Sequence, residues 1–402
     1  MIWFLIIILF AMTVGFAIFK IGDAFSPWMI TLAVWLGIFL LFGLFGHNLY
    51  PPQSRLYNCV MIWIPIFVVS SIGIYYALPS ASACEVRQIE LSDTAYRFFL
   101  VVAMVCSPLY LYQVVKVAMM FDLQNLANNI RIFSSYGEKD SLTTLLKYVC
   151  PVNQALFIVE MWRYPNGSKK GFYATLAANL FCMVAVMAKG PIFILAVSTV
   201  YILYEKKKIR LSSIFMWGII LLVCFYGLNV LRRPEDEKDG ATFMDFFSMY
   251  VLSPSVAFEW AQEKLTDQFG SFSFAFFYAF ASKLGLGSFY VQKQLQDFVF
   301  VPIPTNVYTV FQPYFEDFGY KGVAFFASVW GLLSGWLYRL VKNGVSLAMC
   351  MYAYVAFALV MQFYQESLFV NLSIVIQYLV IFTLLIKHDI SFSFRGISNI
   401  RT

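Results

Sequence analysis

Residues 1–19 read MIWFLIIILFAMTVGFAIF, an apolar run without a charged side chain. A bilayer core takes about 20 mostly apolar residues per helix, so this run reads as a membrane span. It has no basic leading region and no small-residue cleavage site, which predicts a retained first span and not a signal peptide. Ten further runs of the same kind follow, at 28–45, 59–78, 98–120, 146–163, 171–188, 190–204, 212–230, 322–340, 346–363 and 371–386. The run at 190–204 is short and opens on Gly190-Pro191. The apolar stretch 271–290 carries Lys283, Gly285 and Gly287, and it reads as a re-entrant or interfacial piece more readily than as a twelfth span. The expectation is an all-α polytopic membrane protein of about 11–12 helices, with residues 1–402 forming a single integral membrane domain.

Composition agrees. The chain is 61% hydrophobic and 12% charged, where soluble domains carry about 25% charged residues. Mean hydropathy is +0.73. The net charge of +6 does not point to nucleic acid, because the basic residues cluster in short loops, where they report membrane orientation. Arg163, Lys169 and Lys170 mark one loop, and Lys206, Lys207, Lys208 and Arg210 a second. Arg339 and Lys342 mark a third, and Lys387, Arg395 and Arg401 mark the tail. Placing all four on the cytoplasmic side leaves Lys189-Gly190, the segment 231–321 and the turn 364–370 on the other side. Counting back puts 121–145 and the N-terminus there too, whereas Arg55 and the slightly acidic 79–97 loop favour the opposite parity. The first half of the topology therefore stays open at this level.

Several chemistries lack their sequence signature. The two histidines, His47 and His388, are far apart and offer no metal cluster. Seven cysteines without CxxC spacing read as buried free thiols. Walker A, GxGxxG, HExxH and GxSxG patterns are absent. Chemistry is then expected at the membrane surface, on the extramembrane segments 121–145 and 231–321.

Within the second of these lies a polar island, PIPTNVYTVFQPYFEDFGYKG at 302–322. Thr305, Asn306, Tyr308 and Tyr314 set hydrogen-bonding groups beside ring faces, a composition suited to sugars and equally to an interfacial aromatic belt. Glu316 and Asp317 point oppositely on an extended segment, so they do not form a carboxylate pair. One can act as general base toward a sugar hydroxyl, and the other can cap the next helix or hold a cation. Cations are expected on the same side. Arg232 and Arg233 offer planar donor forks suited to a diphosphate, or form a snorkelling pair that neutralises Glu235, Asp236 and Glu237. Lys189 stands at a helix start, where the dipole favours anions, or reaches for lipid headgroups. Arg131, Lys283 and Lys293 enlarge the set, and the ligand it suits is an anionic lipid or diphosphate. Gln365 and Glu366 occupy a short turn on that side and read as a solvated loop.

The run Thr305-Asn306-x-Tyr308-Thr309, followed by Asp317-Phe318-Gly319-x-x-Gly322 and three terminal spans, resembles the oligosaccharide repeat unit polymerases. These are the Wzy-type polymerases of O antigen and related bacterial polysaccharides. The large loop before the run and Arg232-Arg233 at a helix end fit the same pattern, and the resemblance covers residues 180–402. It implies a multi-pass enzyme of the bacterial inner membrane with a periplasmic active face, similar in architecture to GT-C-like membrane glycosyltransferases. Such an enzyme transfers a growing glycan from one undecaprenyl diphosphate to the non-reducing sugar of another lipid-linked repeat unit. The resemblance implies no cofactor, no metal and no nucleotide, and partners limited to the repeat units, a chain-length regulator and a flippase of the same pathway. On that reading Arg232, Arg233, Lys189 and Arg131 stabilise the diphosphate, with Lys283 as an accessory cation. Glu316 or Asp317 serves the acceptor hydroxyl, and Thr305, Asn306, Tyr308 and Tyr314 hold sugars. Gln312 and Lys189 depart from the pattern, since relatives favour arginine there. The alternatives are a ligase-like membrane glycosyltransferase and a lipid-linked saccharide transporter.

Overall fold

In hydrocarbon every backbone N–H and C=O must find its partner inside the segment, so long apolar runs fold as helices. The computed structural model describes residues 1–45, 48–80, 89–231, 243–260, 266–292 and 296–387, and each of the eleven expected spans is a helix in it. The first half contains α1 (Ile2–Ile18), α2 (Pro27–Leu44), α3 (Ser54–Ala77), α4 (Asp93–Ala118), α5 (Leu126–Tyr136), α6 (Ser141–Leu146), α7 (Val149–Arg163) and α8 (Lys169–Val186). It continues with α9 (Lys189–Glu205), α10 (Leu211–Leu231), α11 (Phe243–Phe247), α12 (Ser253–Ala257) and α13 (Ala275–Lys283). A short antiparallel pair, β1 (Val299–Phe300) and β2 (Pro304–Thr305), precedes α14 (Gln312–Lys342), α15 (Ser346–Val360) and α16 (Leu372–Leu385). Among the described residues, seven helical runs are long and apolar enough to cross a membrane: α2, α3, α4, the run through α6 and α7, α10, α14, and α15 with its extension to Phe363. α1 and α16 are shorter apolar helices. The chain is an all-α polytopic membrane protein.

The segment 121–145 is more ordered than a polar loop. Asp122 accepts from Gln124 N and Asp140 accepts from Thr143 N, so each carboxylate satisfies an otherwise orphan donor at a helical start. Between them α5 buries Ile130 and Ser134, and the Ser134 hydroxyl donates to Val186 O at 2.8 Å, which ties α5 to the end of α8.

The closest helix pair is α3 against α14. Gly331 and Gly335, four apart on one face of α14, let the two backbones touch in the small-xxx-small manner common in membranes. A Cβ at Gly335 would stand 2.3 Å from Ser71 O, and one at Gly331 would stand 2.6 Å from Phe67 O. α14 is also broken near its start, where Gly319 adopts φ 62° and ψ −152°. That left-handed region strains any residue with a Cβ, which accounts for a glycine inside an otherwise regular run.

Ion pairs gather the basic loops at one end of the helices. Lys342 bridges Glu205 at 2.7 Å and Asp23 at 2.8 Å. Lys206 donates to Trp162 O at 2.6 Å, Arg339 donates to Leu78 O at 3.1 Å, and Lys387 N donates to Glu90 O at 2.9 Å. At the opposite end Tyr50 N donates to Val301 O at 3.4 Å, and Glu259 accepts from Leu56 N at 2.8 Å. Connections between successive long helices thus alternate between the two ends. Arg55, whose charge argued for the other parity, donates to Phe258 O at 3.2 Å and lies 5.0 Å from the Phe315 ring centroid. It is a locally satisfied cation.

Candidate functional site

The segment 302–312 is held from behind by the core. Phe311 stacks on Trp35 at 4.9 Å between centroids and meets Trp63 edge-on at 5.6 Å. The indole N–H groups of Trp35 and Trp63 donate to Gln362 Oε1 at 3.4 and 3.0 Å, and Gln362 Nε2 donates to Thr31 Oγ1 at 2.9 Å. Val310 N completes the clamp by donating to Gln362 O at 2.8 Å. In front, Val299 pairs with Thr305 across β1 and β2, and the Tyr308 hydroxyl donates to Asp297 O at 2.8 Å. Burial, helped by the negative charges of Asp297 and Glu316, pushes the Tyr308 phenol up to about 12, so it stays protonated.

Thr305, Asn306, Tyr308 and Gln312 thereby form one wall of a cavity of about 1280 Å³, which Gln365, Glu366 and Asn371 extend from the turn after α15. This is the amide wall. Glu366 is 4% exposed, contrary to the solvated turn expected of it. Its Oε1 accepts from Leu368 N and Phe369 N, both at 2.9 Å, and its Oε2 accepts from Val370 N at 2.6 Å. Burial pushes its carboxyl above the ordinary range, against the pull of those three N–H groups and the Tyr314 hydroxyl.

A second wall is cationic and aromatic. Lys189 opens α9 and Arg131 comes from α5. The Lys189 ammonium lies 3.0 Å from the Tyr250 ring centroid and 4.6 Å from that of Phe246, a cation held against two π faces. Tyr250 sits on a π-helical turn, Ser248–Leu252, and its hydroxyl donates to Asn229 Oδ1 on α10 at 3.2 Å. The N-terminus of α9 adds its partial positive charge at the same place. Gly218, Ile219, Leu222 and Phe225 continue the lining along α10 as an apolar track.

Of the residues singled out by sequence, the structure brings together Arg131, Lys189, Thr305, Asn306 and Tyr308. It does not bring four others. Tyr314 is 0% exposed, stacked on Phe326 at 4.1 Å, with its hydroxyl accepting from Trp330 Nε1 at 2.8 Å; it is core and not a sugar platform. Asp317 accepts from Ser273 N at 2.7 Å and Phe272 N at 3.2 Å, so its carboxylate anchors the turn before α13 and lies outside the cavity lining. Glu316 is also outside that lining, and Lys283 is exposed at the end of α13. Arg232, Arg233 and Lys293 fall outside the described residues. The sequence alone did not single out Tyr250 and Phe246, and it marked Gln312 only as a departure from the family pattern. The available signal was the aromatic run 243–250 directly after the charged segment, close in sequence to the arginine pair.

No protein-family model and no solved structure matches the chain. It spans 60% of the length of the curated relative it matches. The chain is similar to one such relative, being 25% identical, over 248 residues and 60% of either chain, to the "Putative O-antigen polymerase" of Escherichia coli (strain K12).

Proposed function

We propose that this chain is a polysaccharide polymerase of the bacterial inner membrane. It joins undecaprenyl-diphosphate-linked oligosaccharide repeat units into O antigen or a related surface polysaccharide. The observation that carries the reading is one cavity with a cationic wall, an amide wall and an apolar track. Those surfaces suit, in turn, a diphosphate, a sugar and a polyprenyl chain. The similarity to a protein named as an O-antigen polymerase supports the same class. The positive-inside bias favours a periplasmic site, since the basic loops gather at the opposite end.

In the proposed reaction the acceptor hydroxyl oxygen forms a bond to the anomeric carbon of the donor glycan. The bond from that carbon to the diphosphate breaks, and the diphosphate leaves with the electron pair and, overall, the hydroxyl proton. Lys189 and Arg131 stabilise the charge that grows on the leaving oxygen, with Arg232 and Arg233 assigned to the same task. Amide oxygens of the Asn306 and Gln312 side chains accept from the acceptor hydroxyl and polarise it. Asp317 is reassigned from base to a positioning residue, because backbone N–H groups already occupy its oxygens. Thr305 and Tyr308 hold sugar hydroxyls. The repeat units, a chain-length regulator and a flippase are the partners this role entails.

Cells lacking the chain provide the test. Their surface polysaccharide, resolved on a gel, is expected to collapse from a ladder to a single repeat unit. A normal ladder contradicts the polymerase reading, and long chains stranded on the lipid carrier indicate a ligase instead.

A further inference from the structure

We propose that the sugar received at the amide wall, the non-reducing end of the incoming repeat unit, carries no negative charge. A neutral hexose, a deoxyhexose or an N-acetylated amino sugar fits; an acid or phosphorylated sugar is refused. The inference rests on the polymerase reading and names the substrate class of the same cavity.

Thr305, Asn306, Gln312 and Gln365 line that wall, and among the described residues their side chains have no hydrogen-bond partner in the protein. Gln312 is only 8% exposed, so its amide faces the cavity and not bulk solvent. Gln292 Oε1, also in the lining and shielded, has no partner either. A shielded polar atom is seldom left unpaired in folded proteins, so Gln292 Oε1, with partly buried amides beside it facing the same space, marks where a ligand supplies donors and acceptors. Side-chain amides both donate and accept, and so do sugar hydroxyls and acetamido groups. The match is to a neutral ligand with many hydroxyls.

Charge on the lining points the same way. Among the described lining residues the charged groups are Arg131, Lys189 and Glu366. The two cations belong to the α5 and α9 wall, which the diphosphate occupies. Glu366 directs both carboxylate oxygens at the N–H groups of its own turn. Among the described lining residues, a sugar carboxylate at the amide wall would meet no cation, lose its water shell and share the cavity with a buried acid. Burying a charge without a partner is costly, so discrimination here works by exclusion.

The test takes lipid-linked repeat units extracted from cells lacking the chain, and a synthetic pair differing at one carbon. One member carries a hydroxymethyl group at C6 of the terminal non-reducing sugar, and the other carries a carboxylate. The native terminal sugar is expected to be uncharged, and kcat/KM for the hydroxymethyl member to exceed that for the carboxylate at least about tenfold. Gln312→Lys supplies a counter-charge and narrows the ratio; Gln365→Lys, at a less buried position, does the same should the first variant fail to fold. Equal extension of the pair, or a native unit ending in an acid sugar, overturns the inference and leaves the polymerase reading standing. Extension of neither native nor synthetic units overturns that reading, and the inference with it.

Discussion

Lys189→Ala is expected to lower the rate of chain extension by about 10²–10³-fold while the protein still inserts and folds. The ammonium is shielded from solvent and fixed against the rings of Tyr250 and Phe246. A cation held in a low-dielectric site interacts with developing charge far more strongly than one in water. It also needs no reorganisation at the moment the diphosphate leaves. Because the leaving oxygen gains negative charge only as the bond breaks, the loss should fall mainly on kcat, with KM changing less. Lys189→Arg keeps the charge and should retain part of the rate, since the guanidinium also stacks on aromatic faces. Steady-state extension of lipid-linked repeat units by the purified variants checks this. A Lys189→Ala protein that extends chains at the wild-type rate removes Lys189 from the diphosphate site.

Glu366→Ala is expected to destabilise the protein by about 3 kcal/mol, because one buried and two partly buried N–H groups lose their acceptor at roughly 1–3 kcal/mol each. Leu368 N, Phe369 N and Val370 N all depend on this one carboxylate. The turn they form carries Gln365 and Asn371 into the cavity and returns the chain to α16. Glu366→Gln keeps one acceptor oxygen and should fall between wild type and alanine. Thermal unfolding in detergent, with membrane abundance as a second readout, should rank the three in that order. Wild-type stability in the alanine variant would show that the turn does not rely on the carboxylate.

The helices were legible because membrane insertion is read from local composition, and each of the eleven runs announces itself within its own residues. The cavity lining was legible where a residue's chemical type and the end of the bundle it sits at point to it, as for Lys189, Arg131, Asn306 and Tyr308. It was illegible where the role depends on a partner distant in sequence. Asp317 resembles a catalytic acid until Phe272 N and Ser273 N are found on its oxygens. Tyr314 sits among sugar-suited residues, yet Phe326, Trp330 and Trp63 draw its ring into the core. Gln362 lies inside an apolar run and gives no local sign that two tryptophans and the Val310 N–H converge on it. Glu366 reads as solvated because exposed turns and buried turns share a composition. Its three N–H partners come from the following four residues, but only the packed structure shows that water is excluded there.

The most direct test of the polymerase assignment is a reconstitution with two components. Purified protein in liposomes is supplied with undecaprenyl-diphosphate-linked repeat units extracted from cells lacking the chain, with no nucleotide, nucleotide sugar or ion gradient. The expected product is a ladder spaced by one repeat unit, with one undecaprenyl diphosphate released for each new glycosidic bond. Repeat units that cross the bilayer or stay unchanged, with no new glycosidic bond, would contradict it.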